Sequence, residues 1–232
     1  PKKSATNIID VRWVHKRKWE KPKSDGSQVG KSSRVGSEGA DHAGHWTIRS
    51  RLTVRGFKDA QKGDIARYAG TSTRGGQRAL VSEAVRNGWP IGTLDISVAF
   101  LKGVTCEELA KLTGEPMREV NFYLPASCIP LLRQVPGFED FNPQTEVLPC
   151  DKPGTGLTDA PRAFSIKLKS VTDEKIKMKN SLIDAEMCVK HQQLQNLMMQ
   201  LIAMLTKHVD DIKFTGIPEE TKDISSHLHD TL

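Results

Sequence analysis

Cysteine is sparse in this 232-residue chain, and its four copies are scattered. Cys106, Cys128, Cys150 and Cys188 stand singly with no C-x-x-C pair, which argues against a zinc site of the usual spacing and leaves four reduced thiols. No stretch approaches the ~20 apolar residues of a membrane-spanning helix, and no charged-then-apolar leader opens the chain. An intracellular protein with no membrane partner is expected. No internal repeat is visible. Hydrophobic residues make up 37% of the chain, a little below the usual globular share, so a core can form but will not fill the whole chain. The length suits one large domain or two small subdomains around a shared core. The chain starts at Pro1 and stops at Leu232 within a helical pattern, as a piece of something longer would.

What is present in excess is positive charge, +6 with a pI near 9.1, which weakly favours a polyanionic partner. Residues 20–45 are rich in Gly, Ser and Lys and poor in apolar side chains, the composition of a flexible loop. His42 and His45 are spaced like half a metal site, but with no cysteine nearby they read better as loop residues.

Asn7 to Trp19 reads as a strand with a basic end, and residues 46–57 read as a second strand. Period-two alternation puts Ile48, Leu52 and Val54 on one face of the second, and Arg49, Arg51, Thr53 and Arg55 on the other. That arginine ladder is either a solvated face or a phosphate-facing one. Residues 77–87 read as a helix with Leu80, Val81, Ala84 and Val85 as its apolar stripe and Gly88 as its end. A strand from Trp89 to Ile96 turns Leu94 and Ile96 one way and Asp95 the other. Ser97 is placed to cap a short helix containing Phe100. Within 106–150, Glu107 to Leu112 looks helical and Val120 to Leu124 looks like a strand, and prolines break up most of the rest into an irregular insertion. Residues 159–171 form a helix with Phe164, Leu168 and Val171 inward and Thr158 or Asp159 as its cap. Two β-like runs then flank Asp210–Asp211, which suggests a hairpin with the acids at or beside its turn. Adjacent carboxylates near a core repel. Either solvent covers them, or a divalent cation does, for which Asp95 is a further carboxylate source.

Four segments, in order, resemble the reverse transcriptases of copia-type retrotransposons. R-S-R-L-T-V-R-G-F-K (49–58) is similar to that family's K-A-R-L-V-A-R-G-F-K, and N-G-W-P-I-G-T-L-D-I-S-V-A-F-L-K-G (87–103) to its N-G-W-x-x-x-Q-L-D-V-x-x-A-F-L-x-G. G-L-T-D-A-P-R-A-F (156–164) is similar to G-L-K-Q-A-P-R-A-W, and H-V-D-D-I-K-F-T-G (208–216) to Y-V-D-D-x-x-x-x-G. Asn7 to Trp19 resembles the W-V-x-K-x-K strand that opens the domain.

The resemblance implies an α+β fold: the fingers and palm of a right-hand polymerase over 1–232, with a ferredoxin-like palm sheet, helices packed on one face, and no thumb. Asp95, Asp210 and Asp211 would be the catalytic carboxylates. With the Ile96 carbonyl they would hold two Mg²⁺ ions, for which Mn²⁺ can substitute. Asp95 and Asp210 would be the principal ligands and Asp211 more peripheral. At least one of Arg49, Arg51 and Arg55 would meet the incoming triphosphate. Thr155 and Gly156 would line the nucleotide pocket, and His208 and Val209 would position the primer. Phe100 is either a gate against a ribose 2′-hydroxyl or an ordinary core phenyl.

The implied partners are an RNA or DNA template with its primer, dNTPs and the remaining polyprotein regions (thumb, RNase H, integrase), in a cytoplasmic particle and the nucleus. His208 stands where the family has Tyr, Thr158 and Asp159 where it has Lys and Gln, and Arg49 where it has Lys. A catalytically silent retroelement remnant is the competing reading, and an unrelated two-metal nuclease the last.

Overall fold

The computed structural model describes residues 1–20, 44–195 and 197–232. Most of the expected flexible loop, His42 included, lies outside the described residues. The elements run β1 (Ile8–Glu20), β2 (His45–Val54), α1 (Arg74–Asn87), β3 (Ile91–Asp95), α2 (Cys106–Thr113), β4 (Asn121–Tyr123), α3 (Ile129–Leu132), β5 (Leu148–Pro149), α4 (Ala160–Ser170), β6 (Lys179–Asn180), β7 (Met187–Gln193), β8 (Met199–His208), β9 (Asp211–Gly216) and α5 (Pro218–Thr231). They make a mixed α+β structure with two sheets, ordered β2-β1-β4-β5 and β3-β9-β8-β7-β6. Among the described residues no helix is long and apolar enough to cross a membrane.

The larger sheet is antiparallel throughout and apolar on both faces. Cys188, Ala203, Leu205, Ile212 and Phe214 pack against Phe164 and Leu168 of α4 and Ile224 and Leu228 of α5. Residues one position along these strands, Met187 and Met204, pack against Leu80 of α1. Helices therefore cover both faces, which corrects the one-sided packing expected. The reason is visible in β8, where Ile202 to Leu205 are buried without a break. A strand buried on both faces needs a continuous apolar run rather than an alternating one. Full burial of a side chain such as Phe164 is worth about 1.5–3 kcal/mol.

Helix α1 starts three residues earlier than its apolar pattern suggests, because the Thr73 hydroxyl caps it by accepting from the Gly76 N–H at 3.0 Å. Gly88, with φ of 64°, closes it. The buried line is Gly76, Leu80 and Ala84. Val81 and Val85 are exposed instead, since each lies about 100° around the helix from the buried line.

The smaller sheet has its core at one end only, where Ile9, Val11, Val54, Val120 and Leu157 pack together. Beyond it, β1 and β2 continue as a solvated two-stranded ribbon, paired from Val11↔Val54 to Glu20↔His45. Within 106–150 the helix and the strand read from the sequence are α2 and β4. A reciprocal capping box between Thr105 and Glu108 starts α2, and β4 pairs in parallel with the root of β1.

The buried Arg118 guanidinium donates to Asp59 just after β2 and to Asp159 at the start of α4. Both acids are almost fully buried, at 2% and 0% exposure. Asp159, expected as a helix cap, makes no capping bond because its carboxylate is turned to Arg118. Arg118→Met strands two buried carboxylates and should cost about 3–5 kcal/mol in urea unfolding. Adding Asp59→Asn and Asp159→Asn should recover much of that loss. A single variant as stable as the parent would show that the triad carries no stability.

Candidate active site

The hairpin joining β8 to β9 turns through Val209 and Asp210. Val209 takes φ of 58°, a conformation uncommon for a β-branched side chain and found mainly where the surroundings enforce it. Here Asp210 is enforced from outside the hairpin: its carbonyl accepts from the Ile96 N–H at 3.1 Å. Ile96 itself is buried in the main core, so the turn is stitched to a fixed point.

The register aligns His208 with Asp211, and Asp211 with Asp95. Directly opposed residues of antiparallel strands share a face, with Cβ atoms about 4.5–5.5 Å apart. His208, Asp211 and Asp95 therefore form one row across three strands, with Asp210 at the turn beside it. All four are exposed. Two like charges placed opposite each other destabilise a sheet, so this pairing costs stability unless a cation joins it. Among the described residues no three His, Cys, Asp or Glu side chains form a ready-made metal cage. Mg²⁺ typically takes one or two protein carboxylates and fills its other positions with water and substrate phosphate. An open carboxylate pair fits a cation that arrives with a phosphate.

The arginine ladder is divided by its ion pairs. Arg49 donates to Glu20 at 3.1 Å, and Arg55 pairs with Asp10 at 2.8 Å. Arg51 has no ion pair among the described residues. At about 3.3 Å per residue the six steps from Arg49 to Arg55 span ~20 Å, so one triphosphate cannot meet all three. Thr155 and Gly156 lie at the base of the ribbon, where the Thr155 carbonyl accepts from the Val54 N–H at 3.0 Å. Gly156 has φ of 105°, and a Cβ there would stand 2.1 Å from the Val54 carbonyl oxygen, so only glycine allows this approach. The same turn touches the segment after Asp95, since a Cβ on Gly154 would lie 3.6 Å from Leu101. Phe100 is half-buried against the main core. Ser97 caps nothing; the short turn Ala99–Lys102 begins from Val98 at φ of 51°.

Several site neighbours were not anticipated. Thr71 bridges to His208, and the Ser72 N–H donates to the Lys207 carbonyl at 2.8 Å, so the lead-in to α1 extends the end of β8. Asp184 clamps that lead-in by accepting from the Thr73 N–H at 2.8 Å and the Thr73 hydroxyl at 2.9 Å. Arg74, Gln77, Thr206 and Lys213 then wall a hollow beside His208 and Asp211. Arg74 and Arg78, four apart at a helix start, and a lone lysine inside the apolar Ile212–Phe214 alternation were the available signals.

Burial pushes the Asp184 carboxyl up, but the Thr73 and Glu186 hydrogen bonds outweigh it and hold it below the usual range. A depressed carboxylate contributes stability above its unfolded value, about pH 4, and loses it as pH falls through the lower folded value. Asp184→Asn should therefore lower stability at pH 7 by about 1–3 kcal/mol, and the gap to the parent should narrow as pH falls below the unfolded value of about 4. A gap independent of pH in chemical denaturation would refute the charged clamp.

No family model matches the chain. It is 25% identical over 217 residues to a retrovirus-related Pol polyprotein from transposon RE1 of Arabidopsis thaliana, and 24% identical over 217 residues to that from transposon RE2 of the same plant. Each alignment covers 93% of this chain but 12% of the relative, so the chain spans a small part of the proteins it matches. These similarities support an origin in a retrotransposon Pol polyprotein.

Proposed function

We propose that the chain is the fingers-and-palm part of an RNA-directed DNA polymerase, adding dNTPs to a primer 3′-hydroxyl. The observation that carries this reading is the cross-strand pairing of Asp95 with Asp211 beside Asp210 in a tight, stitched turn. With α2 to β5 and the β6–β7 pair taken as additions, the order β3–α4–β8–β9–α5, with β9 seated between β3 and β8, supports a ferredoxin-like palm. The similarity to Pol polyproteins supports the wider setting, with template, primer and the remaining polyprotein regions as partners.

Asp95, Asp210 and Asp211, with the Ile96 carbonyl, would hold Mg²⁺ or Mn²⁺. Two such cations, when bound, supply the Lewis acidity that eases deprotonation of the primer hydroxyl and offsets charge on the departing pyrophosphate. The chain's own part is positional. The Ile96 N–H fixes Asp210, and the β3–β9 ladder holds Asp95 against Asp211. The turn that carries Thr155 and Gly156 bonds to the ribbon's base at Val54, and its Gly154 approaches Leu101, next to Phe100; in this reading it would floor the nucleotide site. Arg55 is the nearest of the three ladder arginines to that turn in sequence register, and Arg51 is the one without an ion pair. His208 and Val209 would meet the primer end, with an imidazole where the resembling family has a phenol.

A catalytically silent retroelement fragment is favoured by two observations: His208 in that position, and Arg49 and Arg55 already paired with carboxylates. Primer extension on an RNA template with Mg²⁺ or Mn²⁺ separates the readings. Extension should fall about 10²–10³-fold in Asp210→Asn, the size expected when one electrostatic stabiliser is removed. Extension by neither protein would favour the silent reading.

A further inference from the structure

A basic groove borders the carboxylate row. Two hollows of about 450 and 310 Å³ share Arg74, Gln77 and Lys213 as walls. The first extends along α1 past Arg78 to Val81 and Ser82. The second ends at His208 and Asp211. Arg74, Arg78 and Lys213 are exposed and have no ion-pair partner among the described residues, although Arg86 on the same helix pairs with Glu83. Lys213 owes its position to register: it lies two residues from Asp211 on the same face of β9, opposite Thr93 and Thr206. Asp184, through Thr73, sets the start of α1 so that Arg74 and Arg78 face it.

Three unpaired cations around an open groove repel one another, and the arrangement is relieved by an anion with charges repeated along its length. A phosphodiester chain has that form, and forked guanidinium donors match phosphate oxygens. We propose that Arg74, Arg78 and Lys213 form a backbone-binding groove that leads one nucleic-acid strand to Asp95 and Asp211. The proposal rests on the polymerase reading for the strand it names; the groove stands on its own geometry. Gln77 and Val81 give the wall a short polar and apolar lining with no pattern suited to reading bases, so binding is independent of sequence.

The test is fluorescence anisotropy of the full chain with a labelled DNA primer annealed to an RNA template, in EDTA, across a salt series. Arg74→Ala, Arg78→Ala and Lys213→Ala should each reduce the slope of log K against log salt by about one. Lys213→Arg and Arg74→Lys should restore it. Lys222→Ala, on α5 across the sheet, should leave it unchanged. Unchanged slopes in the three alanine variants, an equal loss in Lys222→Ala, or no measurable binding would overturn the groove. Slopes that behave as expected without any primer extension would support the groove and sink the polymerase reading. Extension with unchanged slopes would do the reverse.

Discussion

Arg118 joins parts of the chain that no ladder or helix connects. Its guanidinium reaches Asp59 at the foot of the ribbon and Asp159 at the start of α4, while its own chain leads directly into β4. The smaller sheet, the helix behind the larger sheet and the stretch between them thus share one buried charge. Removing three charges from water is costly, and the attraction between them repays it only with good geometry. Here Asp59 also accepts from the Asn7 amide and the Gln61 N–H, which spreads its charge. The triad ties the base of the ribbon to α4, and the Thr155–Gly156 turn lies just before that helix.

The carboxylate row depends on a different kind of constraint. A one-residue slip of β9 against β3 would move Asp211 from the row to the core face and bring Ile212 into solvent. Burial of Ile212 and Phe214 against α4 and α5 prevents that slip. The core therefore sets the position of the acids by holding their neighbours, and the acids themselves can remain exposed and repulsive. Val209 and Val98, both β-branched and both at positive φ, flank this end of the sheet in the two segments that carry the acids.

Much of this could be read in the sequence because the relevant signals are local. Asp95 pointing away from Leu94 and Ile96, the acids at a hairpin turn, Gly88 closing α1, and the inward line of Phe164 and Leu168 follow from period and capping alone. Other features depended on tertiary neighbours. Val81 and Val85 read as core because they are apolar, yet α1 meets the sheet along Leu80 and Ala84. Asp159 read as a cap until a distant arginine claimed it. β4 read as an isolated run in an irregular stretch because its parallel partner lies more than a hundred residues earlier. The Arg74–Arg78–Lys213 groove was hidden for the same reason: its walls come from a helix and a strand far apart in sequence, and no single segment carries the pattern.

The ribbon of β1 and β2 is held by Ile9, Val11 and Val54 at one end and carries ten paired rungs outward from there. Mechanically it is a cantilever. With about 3.3 Å between rungs, its far rungs stand ~30 Å from the clamp, and small angular fluctuations at Val11 become large displacements near Trp19 and Trp46. The Trp19–Trp46 edge contact and the Arg17 guanidinium over the Trp46 ring stiffen the ribbon against fraying of its own strands. They do nothing to stop it pivoting as a unit. Amide protection along the ribbon should therefore fall off gently, while its orientation relative to the larger sheet varies far more.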